Sequence, residues 1–286
     1  METESLEEKK KLNVIAITDF TRYGDVAVRF GAVLAKIFQS SLTIISNFKN
    51  DRAKEHSSQP ESSFSSNFKQ LLDELSKTEI KIELLIEPFN TAQLHQYAEE
   101  TQSFIYVIGV ANHRKLTYFN RKRAFKFIKT SRLPVMVVGE EMPNENTFKH
   151  VILPLDVERN SKEKAMWAAY FNRFYQATIH ILYPVFKDAF LKGKVQNNLA
   201  FVKKLYKNLT ITYQEHSIKP AVDNIDLYSL EFSQQVGATL TVIMMTRYKS
   251  MIDILFGVKE KKLIANTRNF PVLCLNERDD LYVLCT

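Results

Sequence analysis

The chain has 286 residues, of which 45% are hydrophobic and 25% are charged, and its formal net charge is +7. This length fits two domains of about 100–150 residues each, and the composition is that of globular proteins rather than disordered or fibrous ones. No uncharged apolar run approaches the ~18 residues of a membrane span, and the charged first residues lack the apolar segment of a signal peptide, so we expect a cytoplasmic protein that does not contact a membrane.

Strands alternate with helices along the first half of the chain. Short runs rich in Val and Ile predict strands, and apolar residues at helical spacing predict helices. The predicted strands are residues 13–18, 42–45, 80–84, 105–108 and 135–138. The predicted helices are residues 25–39, a segment around 68–75, residues 91–100 with Asn90 or Thr91 as the cap, and residues 120–129. Residues 47–66, which are rich in Ser, predict a loop.

The second half repeats this order after a linker at about residues 139–147, where Gly, Pro and Asn interrupt both periodicities. The predicted strands are residues 151–155, 178–182, 209–213, 240–244 and 272–275. The predicted helices are residues 161–174, 187–207, 227–236 and 259–266. Gly237, between the third of these helices and the next strand, predicts a turn.

The two halves share a register of 137 residues. Asp156 ends its apolar run 137 positions after Asp19 does, and four apolar segments fall in the same register. We infer two duplicated domains, at residues 11–140 and 147–277, because solenoid repeats are far shorter. Alternating strands and helices favour parallel pairing through right-handed crossovers. We therefore predict two doubly wound α/β domains with five-stranded parallel sheets, packed as an intramolecular pseudo-dimer; a single continuous sheet would contradict this.

The densest basic cluster lies around the end of the fourth strand of the first half. Its members are His113, Arg114, Lys115, Arg121, Lys122, Arg123, Lys126 and Lys129. The favoured interpretation is the solvated face of an amphipathic helix, and the alternative is a patch that contacts phosphate. No recognised nucleic-acid-binding module accompanies the cluster, so we do not expect a nucleic-acid partner.

No constellation of catalytic or metal-binding residues is evident. The six histidines are scattered without metal-ligand spacing, and His180, within a predicted strand, is interpreted as a packed residue. The chain has neither a Walker A motif nor G-x-S-x-G. Its two cysteines, Cys274 and Cys285, are too few for a disulfide framework. We predict no catalytic residues and no metal.

Several segments resemble the universal stress protein family. The openings Ile15–Thr21 and Val151–Asp156, and the closing segments Ser131–Val138 and Asn269–Leu273, are similar to the beginning and end of that family's domain. The resemblance covers nearly the whole chain as a tandem pair. The family joins two such domains through their last strands, which implies that residues 135–138 and 272–275 form the contact edges.

The glycine loop of the family's ATP-binding members is broken in both halves. That loop follows the fourth strand as G-x-x-G-x(9)-G-[S/T], and its glycines let backbone amides approach phosphates. The first half keeps Gly109 but has Asn112 at the second glycine position and Arg121 and Lys122 near the third. The second half keeps only Gly257, which Val258 rather than a hydroxyl residue follows.

Two aspartates match the position where the resemblance implies contact with a nucleotide base. Asp19 and Asp156 each follow a first strand, and open α/β sheets bind ligands at the carboxyl ends of their strands. Each aspartate alternatively caps a loop or helix; capping is favoured for Asp156, and both interpretations stay open for Asp19. The candidate binding residues are therefore Asp19, Gly109, Asn112, Arg114, Arg121, Lys122, Asp156 and Gly257.

The leading functional hypothesis is a cytoplasmic, non-catalytic stress-response protein that binds a ligand or a protein partner. The first alternative is an ATP-binding or slowly ATP-hydrolysing module, ATP being the one cofactor that the resemblance implies. The second alternative is a sensor of anionic ligands that uses Arg114, Lys115, Arg121 and Lys122. A further homodimer and an unidentified protein partner are left open.

Overall fold

A computed structural model describes residues 12–46, 66–86, 89–111, 119–219, 224–245 and 270–277. Its strands are β1 Asn13–Thr18, β2 Ser41–Ser46, β3 Ile82–Ile86, β4 Ser103–Gly109, β5 Val135–Val138, β6 His150–Pro154, β7 Thr178–Pro184, β8 Tyr213–Ile218, β9 Leu240–Met245 and β10 Val272–Asn276. Its helices are α1 Arg22–Ile37, α2 Ser66–Ser76, α3 Thr91–Glu100, α4 Arg121–Thr130, α5 Lys164–Tyr175, α6 Ala189–Asn208 and α7 Ile225–Val236. The predicted loop, apart from Ser66, and the predicted helix 259–266 lie outside the described residues.

The strands form two parallel five-stranded halves that join into one sheet. The strand order is β3-β2-β1-β4-β5-β10-β9-β6-β7-β8, and every pairing is parallel except that of β5 with β10. The doubly wound α/β prediction is confirmed, and so are the last strands as contact edges. The expectation of two separate sheets is wrong, because the unpaired amides and carbonyls of two apolar edge strands satisfy one another across the junction. A single continuous sheet does not contradict the duplication, since each half keeps five parallel strands in the same order.

Helices cover both faces of this sheet. Helices α1, α2, α5 and α6 share one core with β1, β2, β6 and β7, while α3, α4 and α7 pack on the opposite face. All six residues of β1 are buried, as expected for a central parallel strand, which is apolar on both sides. Each fully buried Ile, Leu or Val side chain contributes roughly 1.5–3 kcal/mol, and most of these fully buried aliphatic side chains lie on the strands.

Aromatic rings and one amide connect the two halves beyond the β5–β10 pair. The ring of Phe38 on the first half lies 5.8 Å from Phe171 and 5.3 Å from Phe174 on the second. At the end of β10, the Asn276 side-chain amide donates to the carbonyls of Ile128 and Ser131, which caps the C-terminus of α4. The halves therefore pack as a pseudo-dimer within one chain.

Strand β8 is displaced from its predicted position. The apolar pattern predicted residues 209–213, whereas the strand covers Tyr213–Ile218. Helix α6 continues to Asn208, and Thr210 then adopts a positive φ of 56°, which delays entry into the sheet. The strand is polar because it lies at the edge of the sheet, so its sequence carries no strand-like hydrophobic pattern.

Candidate functional site

The carboxyl ends of β1 and β4 form the first-half cleft, which we define by Asp19, Gly109 and the first turns of α1 and α4. Because Ile17 pairs with Ile108 in the parallel register, the residues that follow both strands emerge side by side. Helix α4 returns antiparallel to the strands, so its N-terminus lies at this same edge. This is the point where strand order reverses, and ligands of open α/β sheets bind at such points.

Asp19 holds the turn between β1 and α1. Its Oδ1 accepts hydrogen bonds from the Thr21 amide at 3.1 Å and from the Thr21 hydroxyl, while Phe20 between them has a φ of 55°. Thr21 is itself the N-cap of α1 and accepts from the Gly24 amide at 3.5 Å. The capping interpretation of Asp19 thus corresponds to hydrogen bonds in the structure, and the ligand interpretation stays a prediction.

Gly109 lets α1 approach the end of β4. A Cβ built on Gly109 would lie 2.1 Å from the Tyr23 carbonyl oxygen and 2.4 Å from its carbon. Gly24 has a comparable role, since its Cβ would lie 2.6 Å from the Thr18 hydroxyl oxygen. Close packing therefore explains Gly109 without any phosphate, and sequence reasoning had not singled out Gly24.

Two ionisable groups in the first turn of α1 are perturbed. The pKa of Asp25 is raised to about 6 because burial disfavours the charged carboxylate, an effect that nearby Arg29 partly offsets and nearby Asp19 reinforces. The Asp25 Oδ1 atom is buried and has no hydrogen-bond partner. Burial, together with a hydrogen bond to Glu140, raises the pKa of Tyr23 to about 12. This side of the cleft is therefore rich in carboxyl groups.

The opposite side of the cleft is basic. Arg121 and Lys122 occupy the first turn of α4 and are exposed. Asn120 precedes them as the N-cap, and its Oδ1 accepts from the amides of Lys122 at 3.1 Å and Arg123 at 3.0 Å. The structure therefore places Arg121 and Lys122 at the same edge of the sheet as Asp19 and Gly109. The predicted site residues Asn112, Arg114 and Gly257 lie outside the described residues.

In the second half, hydrogen bonds fix the equivalent loop, which follows β6. The Asp156 carboxylate accepts from the Glu158 amide at 2.9 Å, and the Asp156 amide donates to the Ser161 hydroxyl at 3.1 Å. The side-chain amide of Asn198 on α6 donates to the carbonyls of Asp156 at 2.9 Å and Glu158 at 2.8 Å. These contacts are those of a capped loop.

A buried ion pair crosses the same edge of the second half. Lys164 begins α5 and is 1% exposed, and its Nζ lies 3.4 Å from Oδ1 of Asp226 in the first turn of α7. Because α5 and α7 cover opposite faces of the sheet, this pair must pass over the strand ends. The residues at the same register in the first half are Ala27 and Phe89, neither of which carries a charge. The sequence analysis did not predict this pair. The one indication was that a lysine, Lys164, stands in the second half where the first half has Ala27 at the same register position.

Three histidines of the second half lie in contact on neighbouring strands. Nδ1 of His150 on β6 is 3.1 Å from Nε2 of His180 on β7, whose Nδ1 is 3.0 Å from Nε2 of His216 on β8. The expectation that the histidines are scattered is therefore wrong for these three, because the strand register joins residues that are 30 and 36 positions apart. Within the described part of the chain, no group of three or more His, Cys, Asp or Glu residues could hold a metal ion.

Comparisons with known proteins agree with this architecture. No family model matches the sequence, and no curated protein matches it either. Among solved structures, a universal stress protein from Archaeoglobus fulgidus DSM 4304 matches with a TM-score of 0.66 at 12% identity, over 94% of this chain and 97% of that one. A functionally unknown protein from Pseudomonas aeruginosa PAO1 matches with a TM-score of 0.59 at 12% identity, over 95% of each chain.

The described helices include none with the length and apolar character needed to cross a membrane. The match to the Archaeoglobus protein extends across both halves of the sheet, so it concerns the paired arrangement as well as each half. This chain therefore has the fold of a universal stress protein, built from two halves in tandem.

Proposed function

We propose that this chain is a cytoplasmic tandem universal stress protein, with domains at residues 11–140 and 147–277, which binds an anionic ligand of the nucleotide class without catalysing its turnover. The ligand would bind in the first-half cleft alone. The observation that carries this proposal is the difference between two clefts at equivalent positions. The second has the Lys164–Asp226 pair across its strand ends and the Asn198 hydrogen bonds to its first loop, whereas the first has the uncharged Ala27 at the position of Lys164.

The distribution of charge in the first-half cleft favours a ligand with two chemically different ends. Asp19 and Asp25 lie on the β1–α1 side, whereas Arg121 and Lys122 lie at the N-terminus of α4. A cation at a helix N-terminus costs about 0.3–1 kcal/mol unless an anion offsets it. A nucleotide with its base toward Asp19 and its phosphates toward α4 satisfies both sides, which a simple polyanion does not.

Binding rather than turnover follows from what the described polar groups do. Asp19 holds its turn through Thr21, and the Tyr23 hydroxyl donates to Glu140. Asp25 is buried beneath the first turn of α1. Asp19 and Tyr23 hold the backbone around the cleft and Asp25 is buried within it, so we assign these groups no acid, base or nucleophilic role.

Isothermal titration calorimetry with ATP and with inorganic triphosphate tests this proposal. Asp19→Asn and Asp156→Asn form a matched pair, because asparagine keeps the accepting oxygen of each turn and removes only the charge. We expect one ATP per chain, at least tenfold weaker ATP binding in Asp19→Asn, and unchanged binding in Asp156→Asn. Triphosphate binding should be insensitive to both substitutions.

The basic side of the cleft needs its own control. Arg121→Gln combined with Lys122→Gln should weaken binding of both ATP and triphosphate at least tenfold. The control, Lys126→Gln combined with Lys129→Gln, removes the same charge from the far end of α4 and should change binding less than threefold. Two ATP molecules per chain, or loss of binding in Asp156→Asn, would contradict the assignment to the first half, and absence of any ATP binding at millimolar concentration would refute the proposed function.

A further inference from the structure

The three-histidine chain connects the second half of the sheet to helix α7. His150, His180 and His216 are joined in sequence by two nitrogen–nitrogen contacts of 3.1 and 3.0 Å. The His216 ring in turn packs against Phe232 of α7 with centroids 4.8 Å apart. The chain therefore spans β6, β7 and β8 and ends beneath a helix, outside both clefts.

The number of protons that this chain can hold is limited by its geometry. A neutral imidazole has one N–H donor and one acceptor nitrogen, so three neutral rings can satisfy both contacts. One added proton on His180 is also compatible, since that ring then donates to both neighbours. A second proton places two N–H groups face to face in at least one contact, and the chain must open there.

The surroundings of the chain offer little to stabilise an added proton. His180 is 3% exposed, and burial, followed by the proximity of His216 and His150, lowers its pKa to about 4. Burial also lowers the pKa of His216. Among the described residues no carboxylate forms an ion pair with any of the three rings.

The other titratable groups on the adjoining strands and helices are paired with other residues or exposed to solvent. Glu215 of β8 pairs with Lys203 of α6 on the opposite face, and Asp226 of α7 pairs with Lys164. Glu231 of α7 is exposed. The adjoining elements also carry Tyr228 on α7 and Lys149 before β6, whose ammonium donates to Asn146. None of them supplies a negative charge to the chain.

The first half has no such chain at the same positions. In the 137-residue register, His150 corresponds to Asn13 and His180 to Thr43. There the Asn13 side-chain amide donates to the Thr43 hydroxyl at 3.0 Å, a polar contact between buried groups that do not titrate. Both halves therefore have a polar contact between their first two strands. The contact joins titratable side chains, His150 and His180, only in the second half.

We propose that the His150–His180–His216 chain is an acid-sensitive latch, which holds α7 on the second half of the sheet and opens when a second proton enters it. Because burial lowers the pKa of His180 and of His216, these two rings are more easily protonated in the open state. The latch is therefore closed above about pH 6.5 and weakens as the pH falls toward about 4. The first half lacks the chain, so the opening of α7 should not extend to its helices.

Hydrogen exchange followed by mass spectrometry on the full chain tests the latch. After correction for intrinsic exchange, protection of residues 225–236 should fall on the order of 50-fold between pH 7 and pH 4.5 in the wild type. His150→Asn combined with His180→Thr copies the first-half pair into the second half, and its protection ratio between the two pH values should stay within threefold. Using the ratio removes any fixed loss of stability in the variant.

His95→Asn is the matched control, because His95 is a partly buried histidine of the first half with a lowered pKa and no place in the chain. It should leave the wild-type ratio for α7 unchanged. Equal protection of α7 at both pH values in the wild type, or an undiminished fall in the double variant, would overturn the proposal. If the double variant does not fold, NMR titration of the wild-type imidazoles decides, and a His180 ring that titrates near pH 6.5 without loosening α7 rejects the latch.

Discussion

Replacing Gly109 by alanine tests whether close packing of α1 on β4 determines the shape of the first-half cleft. The added Cβ would lie 2.1 Å from the Tyr23 carbonyl oxygen, whereas real Cβ atoms keep at least 3.0 Å from such neighbours. Either the first turn of α1 or the end of β4 must therefore move by roughly 1 Å. Neither can move easily, because Tyr23 is 3% exposed and β4 is hydrogen-bonded to strands on both sides.

The expected cost is at the upper end of the range for overpacked sites. Inserting a methyl group into a well-packed interior typically costs 1–3 kcal/mol, and here the clash is with backbone rather than with a flexible side chain. We expect Gly109→Ala to lower the free energy of unfolding by about 3 kcal/mol. For a chain of this size, that corresponds to a fall of about 6 °C or more in the midpoint of thermal unfolding.

Gly193→Ala provides the matched control within the same chain. Gly193 lies within helix α6, is exposed, and a Cβ there would meet no atom within 4 Å. Alanine at a helix interior is favoured over glycine by about 0.5–1 kcal/mol, so this variant should be stabilised. Urea titration and calorimetric melting should show a lower free energy of unfolding for Gly109→Ala and a higher one for Gly193→Ala. A Gly109→Ala protein as stable as the wild type would refute the packing explanation and would leave ligand contact as the reason for this glycine.

Two further predictions concern buried polar groups. The folded-state pKa of Asp25 is about 6, above the ordinary 3.8, so the charged form destabilises the fold and this penalty grows as the pH rises through that interval. Asp25→Asn should thus stabilise the protein by about 1–3 kcal/mol at pH 7.5 and by almost nothing near pH 4. Urea titrations at both pH values measure this difference. An equal gain at both pH values would show that ionisation of Asp25 is not the cause. Asn276→Ala leaves the carbonyls of Ile128 and Ser131 without their donor and should cost about 1–3 kcal/mol, with Asn276→Asp no better because a carboxylate cannot donate. Stability equal to wild type in either Asn276 variant would show that the cap of α4 is not needed.

The sequence alone predicts the architecture of this chain wherever the local residue pattern agrees with the tertiary environment. The bounds predicted for strand β5 are the observed ones, Val135–Val138, because a strand with neighbours on both sides and helices on both faces is apolar throughout and can be recognised without knowing its partners. Asn90 was one of two predicted caps for α3, and it forms a capping box with Gln93, a contact between residues three positions apart. The 137-residue register was likewise a property of the sequence alone.

The contacts that distinguish the two halves required the tertiary structure. Lys164 meets Asp226 only because two helices on opposite faces begin at the same sheet edge, and His150, His180 and His216 meet only because three strands pair in a particular register. Strand β8 was misplaced for the same reason, since an edge strand takes its position from its neighbour rather than from its own hydrophobic pattern. Periodicity reports which face of an element is buried, and it carries no information about which distant polar residue lies on the neighbouring element. The amino-acid sequence by itself therefore determined a duplicated α/β fold, and the pairing of strands and helices decided that the second half carries both an ion pair across its strand ends and a titratable chain of three histidines.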